Sequence, residues 1–456
     1  MGGGAFSKRT LRALGAFGLT THDVRSHHDD LVRQANGLAA RLDALLTGGR
    51  IALVRGPSGG GKSTVLRALA TRVGATGGLV LEARPPGGRA SRRTVIDLLA
   101  RTPSRIPAAL AALGAAGLAD AMIVARRAQE LSEGQRARLA IARAIMRTSE
   151  SANGLATVII DELAGALDDA TAESLCIGLS RWARATPAVR VVAASARNDI
   201  SQWLDADLEL AVGEPCESAI THRAAIPRSG VALTEITIAE GTLADYLHLA
   251  HLHYRAKPPA TCVRVLVARS ETERHPIGVL TVSMPTLNGA WRALAWPGEY
   301  DGAVVPREQA RRINRDIRTI SRVIVDPRYR ARGVAIALIR RYLASPLTIR
   351  TEAIAAMGND CPLFLRAGMR AWTPPESRRD NRLRDALDAA DLHPWMLADV
   401  NEAAAAIANN RTLERAFRTW ASDHGATRAL AGAPIHDLVR AAARKIIVRP
   451  RAHTAG

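Results

Sequence analysis

Two stretches of this chain combine glycine, basic side chains and the start of a helical pattern. The first reads Gly56-Pro-Ser58-Gly59-Gly60-Gly61-Lys62-Ser63-Thr64 and fits G-x-x-x-x-G-K-[ST]. It lies between the apolar run Arg50–Gly56 and a helical pattern. That context suits a nucleoside triphosphate with Mg2+. Glycines let backbone N–H groups wrap the phosphates, Lys62 reaches the β and γ oxygens, and the Ser63 hydroxyl ligates the metal. Gly56, Ser58, Gly59, Gly60, Gly61, Lys62, Ser63 and Thr64 form the expected binding set. A further apolar run, Ala156–Asp161, ends in an acidic pair. Asp161 is expected to join Ser63 on Mg2+, and Glu162 to polarise the attacking water. The second stretch is Arg330-x-x-Gly333-x-Ala335, after the run Ile320–Asp326 and before the helical pattern "AIALIRRYL".

Positioning these residues needs short buried strands that alternate with helices. Arg50–Gly56, "GLVLEA", Ala156–Asp161 and Val189–Ser195 have that character, with helical pattern between them, so a parallel sheet covered on both faces is expected. A helix is expected near Asp29–Leu46. The stretch 213–230 contains Pro and Gly without periodicity and reads as a linker. A second αβ region follows, with strands "ALTEITI", "CVRVLVA", "IGVLTVSM", Ile320–Asp326 and "LTIRTEA" and the helix "GTLADYLHLAHLHY". From about Pro374 the chain is Arg-rich and helical in pattern to its end. The expected organisation is a lead-in over 1–48, a nucleotide domain over 49–212, a linker over 213–230, a second domain over 231–373 and a helical C-terminal region over 374–456.

Just upstream of the acidic pair, Leu131-Ser132-Glu133-Gly134-Gln135 resembles the LSGGQ signature of ABC ATPases, and Gly165–Asp168 resembles their D-loop. Motif order and spacing are similar to that family over about residues 40–212. The resemblance implies an ABC-type P-loop ATPase fold and a head-to-tail homodimer with ATP held between subunits. Ser132 and Gly134 of one subunit would then meet the γ-phosphate bound by the other, at a helix N-terminus, and Gln135 completes the ATP-binding set. Two departures stand out. No Gln occurs between Lys62 and Ala128, and Ser195-Ala196 stands where the family has its switch histidine. Slow hydrolysis, with ATP binding acting as a switch, is the expectation.

The second turn, with "VDPRYR" before it and Pro362–Trp372 after it, resembles the GNAT N-acyltransferase superfamily over roughly 230–373. This implies an α+β domain that binds acetyl-CoA or a related acyl-CoA through Val323, Val325, Arg330, Ala331, Arg332, Gly333, Val334 and Ala335. His253-Tyr254 followed by prolines, Arg322 beside Ser321, and Asp360 resemble the polar set of the Mom-type DNA-modifying branch. They are the candidates for acyl transfer, alongside the plainer reading of His253 and Tyr254 as helix packing. A His/Asp cluster there could also hold iron, although no spacing demands it.

The charge balance bears on the acceptor. Basic residues outnumber acidic ones 62 to 43, only four of them lysine, and the formal net charge is +19. Between Arg307 and Arg350 twelve arginines stand against three acids. A surplus of that size favours a polyanionic partner such as nucleic acid, with a solvated helix face as the bland alternative. Four scattered cysteines argue against a disulfide framework or a zinc site, and the opening residues lack a signal-peptide core, so a cytoplasmic chain is expected. The leading expectation is an ATP-dependent acyltransferase on a nucleic-acid amine. The alternatives are acyl transfer to tRNA, ribosomal protein or a small amine; a non-enzymatic ATP clamp with a GNAT-like binding module; and the ATPase subunit of a transporter.

Overall fold

Val54, Ala52 and their neighbours in Ile51–Arg55 (β1) are apolar on both sides of the strand, so the strand needs cover on both faces. The computed structural model supplies it. It describes residues 6–150, 154–213, 220–222, 236–253, 257–271, 273–300, 306–359 and 361–456. Two compact units result, Met1–Glu235 with Val325–Val334, and Ile236–Ile324 with Ala335–Gly456.

In the first unit β1 joins Leu79–Glu82 (β2), Ala156–Ile160 (β3), Val189–Ser195 (β4), Leu208–Ala211 (β5) and Ile220–His222 (β6) in the order β2-β3-β4-β1-β5-β6. Every pair is parallel except β5 with β6. Ile51 and Leu53 point into one apolar cluster, Ala52 and Val54 into the other. Helices Thr21–Leu45 (α1) and Lys62–Ala75 (α2) cover the second face. Ile106–Ala115 (α3), Glu133–Thr148 (α4) and Asp169–Arg184 (α5) cover the first. Full burial of both faces accounts for the near-continuous apolar strands that made this sheet readable.

The structure moves some boundaries. α1 begins at Thr21 because Thr20 and Asp23 cap each other, with the Thr20 N–H donating to Asp23 at 2.7 Å and the Asp23 N–H to the Thr20 hydroxyl at 3.2 Å. Within 213–230, Ile220–His222 pairs antiparallel with β5, while 214–219 and 223–230 lie outside the described residues. Among the described residues no helix is long and apolar enough to cross a membrane.

The second unit is built on Ile236–Glu240 (β7), Cys262–Ser270 (β8), Gly278–Ser283 (β9), Ile317–Val325 (β10), Arg350–Ala355 (β11), Arg370–Trp372 (β12) and Arg451–Ala455 (β13). Their order is β12-β13-β11-β10-β9-β8-β7. β10 and β11 run parallel, so their connection must cross over, and Val334–Ala344 lies in it. One face carries a buried polar network. Glu352 on β11 pairs with Arg292 at 2.7 Å and accepts from Trp291 at 2.9 Å and Thr319 at 3.0 Å. Ser321 lies 3.0 Å from Thr281 and 2.7 Å from Ser283, hydroxyl to hydroxyl. With its oxygens satisfied, Glu352 is held as an ion pair in a place where a lone carboxylate is costly.

One expectation is corrected here. The chain does not end in a helical tail. Helices Arg378–Ala389, Val400–Ala408, Arg411–Ser422 and Ile435–Ile446 share their own core around Leu387, Ile407, Phe417 and Leu438, and then β13 inserts between β11 and β12. The helices are therefore an insertion between two strands. The segment "RAHTA" has little strand propensity of its own; pairing on both sides decides its conformation.

That strand places His453 at full burial, against Phe364 at 5.0 Å between ring centroids, with neither ring nitrogen hydrogen-bonded. Burial, and secondarily Arg451, hold its pKa below the ordinary histidine range. Below about pH 6.5 the unfolded chain takes up a proton that the folded site refuses. Stability is therefore expected to be fully present above that pH and to fall as pH drops through the window beneath it. Urea midpoints measured at neutral and mildly acidic pH should diverge less in His453→Leu than in the parent chain. An equal divergence in both would remove His453 as the cause.

Candidate functional site

At the C-terminal end of β1 the backbone turns through a glycine loop into α2. Gly59 and Gly61 have φ of 80° and 91°, in the left-handed region that glycine enters without steric cost. A Cβ added at either would meet nothing within 4 Å, so both face open space. Gly56 is needed for the opposite reason, since a Cβ there would stand 2.2 Å from the Val212 carbonyl oxygen. Lys62 is buried, and its Nζ donates to the carbonyls of Gly56 at 2.8 Å and Pro57 at 2.7 Å, which folds the ammonium back over the loop. Open backbone amides, the α2 N-terminus and this ammonium make a phosphate cradle.

Two adjoining cavities meet the loop. One of about 710 Å3 is lined by Ser58, Lys62, Asp161, Glu162 and the Ser195–Arg197 turn, the other of about 320 Å3 by Ser63, Asp161 and Glu162. The Ser63 hydroxyl and the Asp161 carboxylate thus share one space, the donor set a hard octahedral cation such as Mg2+ prefers. Glu162 has φ of 54° and Ala164 of 60°, backbone that non-glycine residues rarely adopt. The Asp161 carboxylate accepts from the Glu162 N–H at 3.1 Å. Strain at the residue expected to handle water fits a site built for chemistry.

The signature residues sit differently. Ser132 caps α4 and exchanges hydrogen bonds with Gln135 at 3.0 and 3.3 Å. Gly134 packs on the D-loop, where a Cβ would come within 2.6 Å of Leu167. Glu133 and Arg136 line the larger cavity; Ser132, Gly134 and Gln135 do not.

Arg197 is a residue that motif reading missed. Its guanidinium donates to the Leu167 carbonyl at 2.6 Å and pairs with Asp199 and Asp169, and Asp199 first, then Asp169, raise its pKa above the ordinary value. It ties the end of β4 to the D-loop, beside the position of the absent switch histidine. The signal available was an arginine immediately after Ser195-Ala196, with Asp199 two positions on.

Residues 33–181 match the family model of the AAA ATPase domain. The phosphonates import ATP-binding protein PhnC of Hyphomonas neptunium is 29% identical over 245 residues, covering 43% of this chain and 91% of that protein. These two matches support a P-loop ATPase of ABC type in this part of the chain. Among solved structures, a nucleotide-free ATP-binding cassette from an ABC transporter aligns with 39% of this chain and 82% of its own at 15% identity and a TM-score of 0.31. A dimeric post-hydrolysis cassette bound to ADP and Pi aligns with 39% and 87%, at 18% identity and a TM-score of 0.31. ATP and Mg2+ are the ligands expected of an ATPase of that type.

The second turn follows β10. Ala331 and Gly333 have φ of 63° and 90°, and a Cβ on Gly333 would meet nothing within 4 Å. Val323 and Val325 flank the buried Ile324 on the strand, and Val334 and Ala335 open the helix Val334–Ala344. Within the first unit Arg332 is buried and pairs with Glu173 on α5 at 3.0 Å, and the Ser174 hydroxyl donates to the Arg330 carbonyl at 2.6 Å. Burial lowers the Arg330 pKa. The Arg332 charge is therefore already matched, and the turn's open face is that of Gly333.

Of the acyl-transfer candidates, Tyr254 and Asp360 lie outside the described residues. His253 ends a 3-10 turn after the helix Leu243–Leu249, which packs through Tyr246 and Leu249 on the sheet face that carries Ile324. Arg322, two residues before Ile324, belongs to that face by strand alternation. Its Nη1 donates to the Ser321 carbonyl at 2.6 Å, and its Nε has no hydrogen-bond partner. Among the described residues no group of three or more His, Cys, Asp or Glu could hold a metal ion.

Proposed function

We propose that this chain is an ATP-driven switch whose first unit binds MgATP, closes on a second copy and hydrolyses slowly. The observation that carries it is the convergence of Lys62, Ser63, Asp161 and Glu162 on the glycine loop at one end of the parallel sheet. Ser132, Gly134 and Gln135 lie off their own chain's cavity, which supports a role on a partner copy's phosphates. The absence of Gln between Lys62 and Ala128, and Ser195-Ala196 in place of a histidine directly at the end of β4, support slow turnover. As to what the switch drives, the comparisons favour the ATPase subunit of a transport assembly, since the PhnC relative is covered over 91% of its length. In that reading a separate subunit supplies the membrane-spanning part.

A second reading, acyl transfer from acyl-CoA to a nucleic-acid amine, finds no support in the comparisons. One structural observation favours it. The turn Arg330–Gly333 stands between a strand and a helix within a parallel β10–β11 crossover, with two left-handed residues and an open Gly333. Backbone amides so placed suit a pyrophosphate. Acyl transfer would need a base for the attacking amine, for which His253 and Tyr254 are the candidates, with Arg322 and Asp360 as further members of the set. Carbon-labelled acetyl-CoA offered with DNA, tRNA and total protein, with and without MgATP, separates the readings. In Gly333→Glu, bulk and like charge should abolish any CoA affinity. Parent-level CoA binding in that variant removes the turn from the mechanism, and no label on any acceptor leaves the ATPase subunit.

A further inference from the structure

Beside the ATP cavities the first unit carries a groove lined by arginine. Two cavities, of about 510 and 310 Å3, share Arg143 and Arg147 on α4. The first adds Arg84 and the pair Pro85-Pro86, the second Arg101. The groove's two carboxylates are already matched, Glu82 by Arg84 and Glu150 by Arg105. Among the described residues Arg101, Arg143 and Arg147 have no carboxylate partner. Arg143 and Arg147 are one helical turn apart on the same face, where like charges repel. Burial, and then Arg147, push the Arg143 pKa down. Its guanidinium donates to the Arg84 carbonyl at 3.2 Å.

We infer that this groove holds the phosphodiester backbone of duplex nucleic acid. An anion between Arg143 and Arg147 relieves their repulsion, and the guanidinium fork matches phosphate in two-point contact. The two cavities, which share Arg143 and Arg147 in their walls, give room for more than one phosphate. No aromatic side chain lines either cavity, so the stacking that single strands exploit has no platform here. The contact on offer is to backbone, without base readout. Glu82, Arg84 and Pro85 also line the cavity that holds Ser63, Asp161 and Glu162. A duplex in the groove therefore touches a wall of the magnesium site, and its arrival is expected to change ATP turnover. Only that coupling rests on the ATPase reading; the docking does not.

Fluorescence anisotropy of a labelled DNA duplex with the full chain, without nucleotide and across a salt series, tests the docking. Arg143→Ala/Arg147→Ala should weaken binding about tenfold or more and lower the slope of log affinity against log salt by about two, while MgATP affinity and the melting temperature hold. Arg307→Ala/Arg311→Ala, in the second unit, should bind as the parent does. Parent-level binding by the α4 variant overturns the proposal, as does loss confined to the Arg307/Arg311 variant. Poly-glutamate that competes as well as duplex overturns it in favour of an acidic protein partner. Duplex should also alter ATP turnover in the parent and not in the α4 variant; binding without that change overturns the coupling through Glu82–Pro85.

Discussion

Lys62→Ala is expected to weaken MgATP binding at least about a hundredfold, a loss of about 3 kcal/mol. The ammonium is mostly buried and held over the loop by the Gly56 and Pro57 carbonyls. It is the positive side chain that the structure places within the phosphate cradle itself, where charge-assisted hydrogen bonds are about twice as strong as neutral ones. Alanine removes the charge and leaves two carbonyl oxygens facing the phosphates. The fold should survive, because α2 keeps Val65, Leu66, Leu69 and Val73 in the core. Titration of a fluorescent ATP analogue measures the loss, with circular dichroism as the check on folding. Affinity retained within the error of the parent's would place the nucleotide elsewhere.

Glu162→Gln is expected to leave ATP binding intact and to slow hydrolysis by about a hundredfold to ten-thousandfold, the range for loss of a general base. Glutamine keeps the shape but cannot accept the proton of the attacking water. The backbone at Glu162 is held left-handed at φ 54°, with Leu163 donating to the Ala194 carbonyl at 2.7 Å, so the side chain's direction is set by the main chain and should persist in the variant. With hydrolysis blocked, ATP should hold two copies together. Single-turnover phosphate release and gel filtration with MgATP read the two effects. Release at the parent rate would assign the base to another group, and a monomer with ATP bound would sink the closing dimer.

The nucleotide loop was legible in the sequence because its chemistry is local. A strand, a glycine run and a helix start are consecutive, and the conformations that Gly59 and Gly61 adopt are ones their neighbours cannot easily take. Asp161-Glu162 was legible because β3 is buried on both faces and, in a parallel sheet, ends at the same side as β1, one strand away across β4. Arg197 was not, because its meaning depends on the Leu167 carbonyl thirty residues away in sequence. The second turn shows the same division. Its glycine spacing is local, but the commitment of Arg332 to Glu173 on α5 had no sign in either segment.

The sequence by itself determined the first sheet, the glycine turn after β1 and the acidic pair after β3, since apolar runs and glycine geometry act over a few residues. Only the tertiary structure decided that the C-terminal helices are an insertion. Hydrogen bonds from β11 and β12 on either side make "RAHTA" a central strand, and no local preference announces that. It also decided which arginines are matched and which are not. An ion pair is made by side chains that meet through folding, so Arg84 and Arg105 find carboxylates while, among the described residues, Arg101, Arg143 and Arg147 do not.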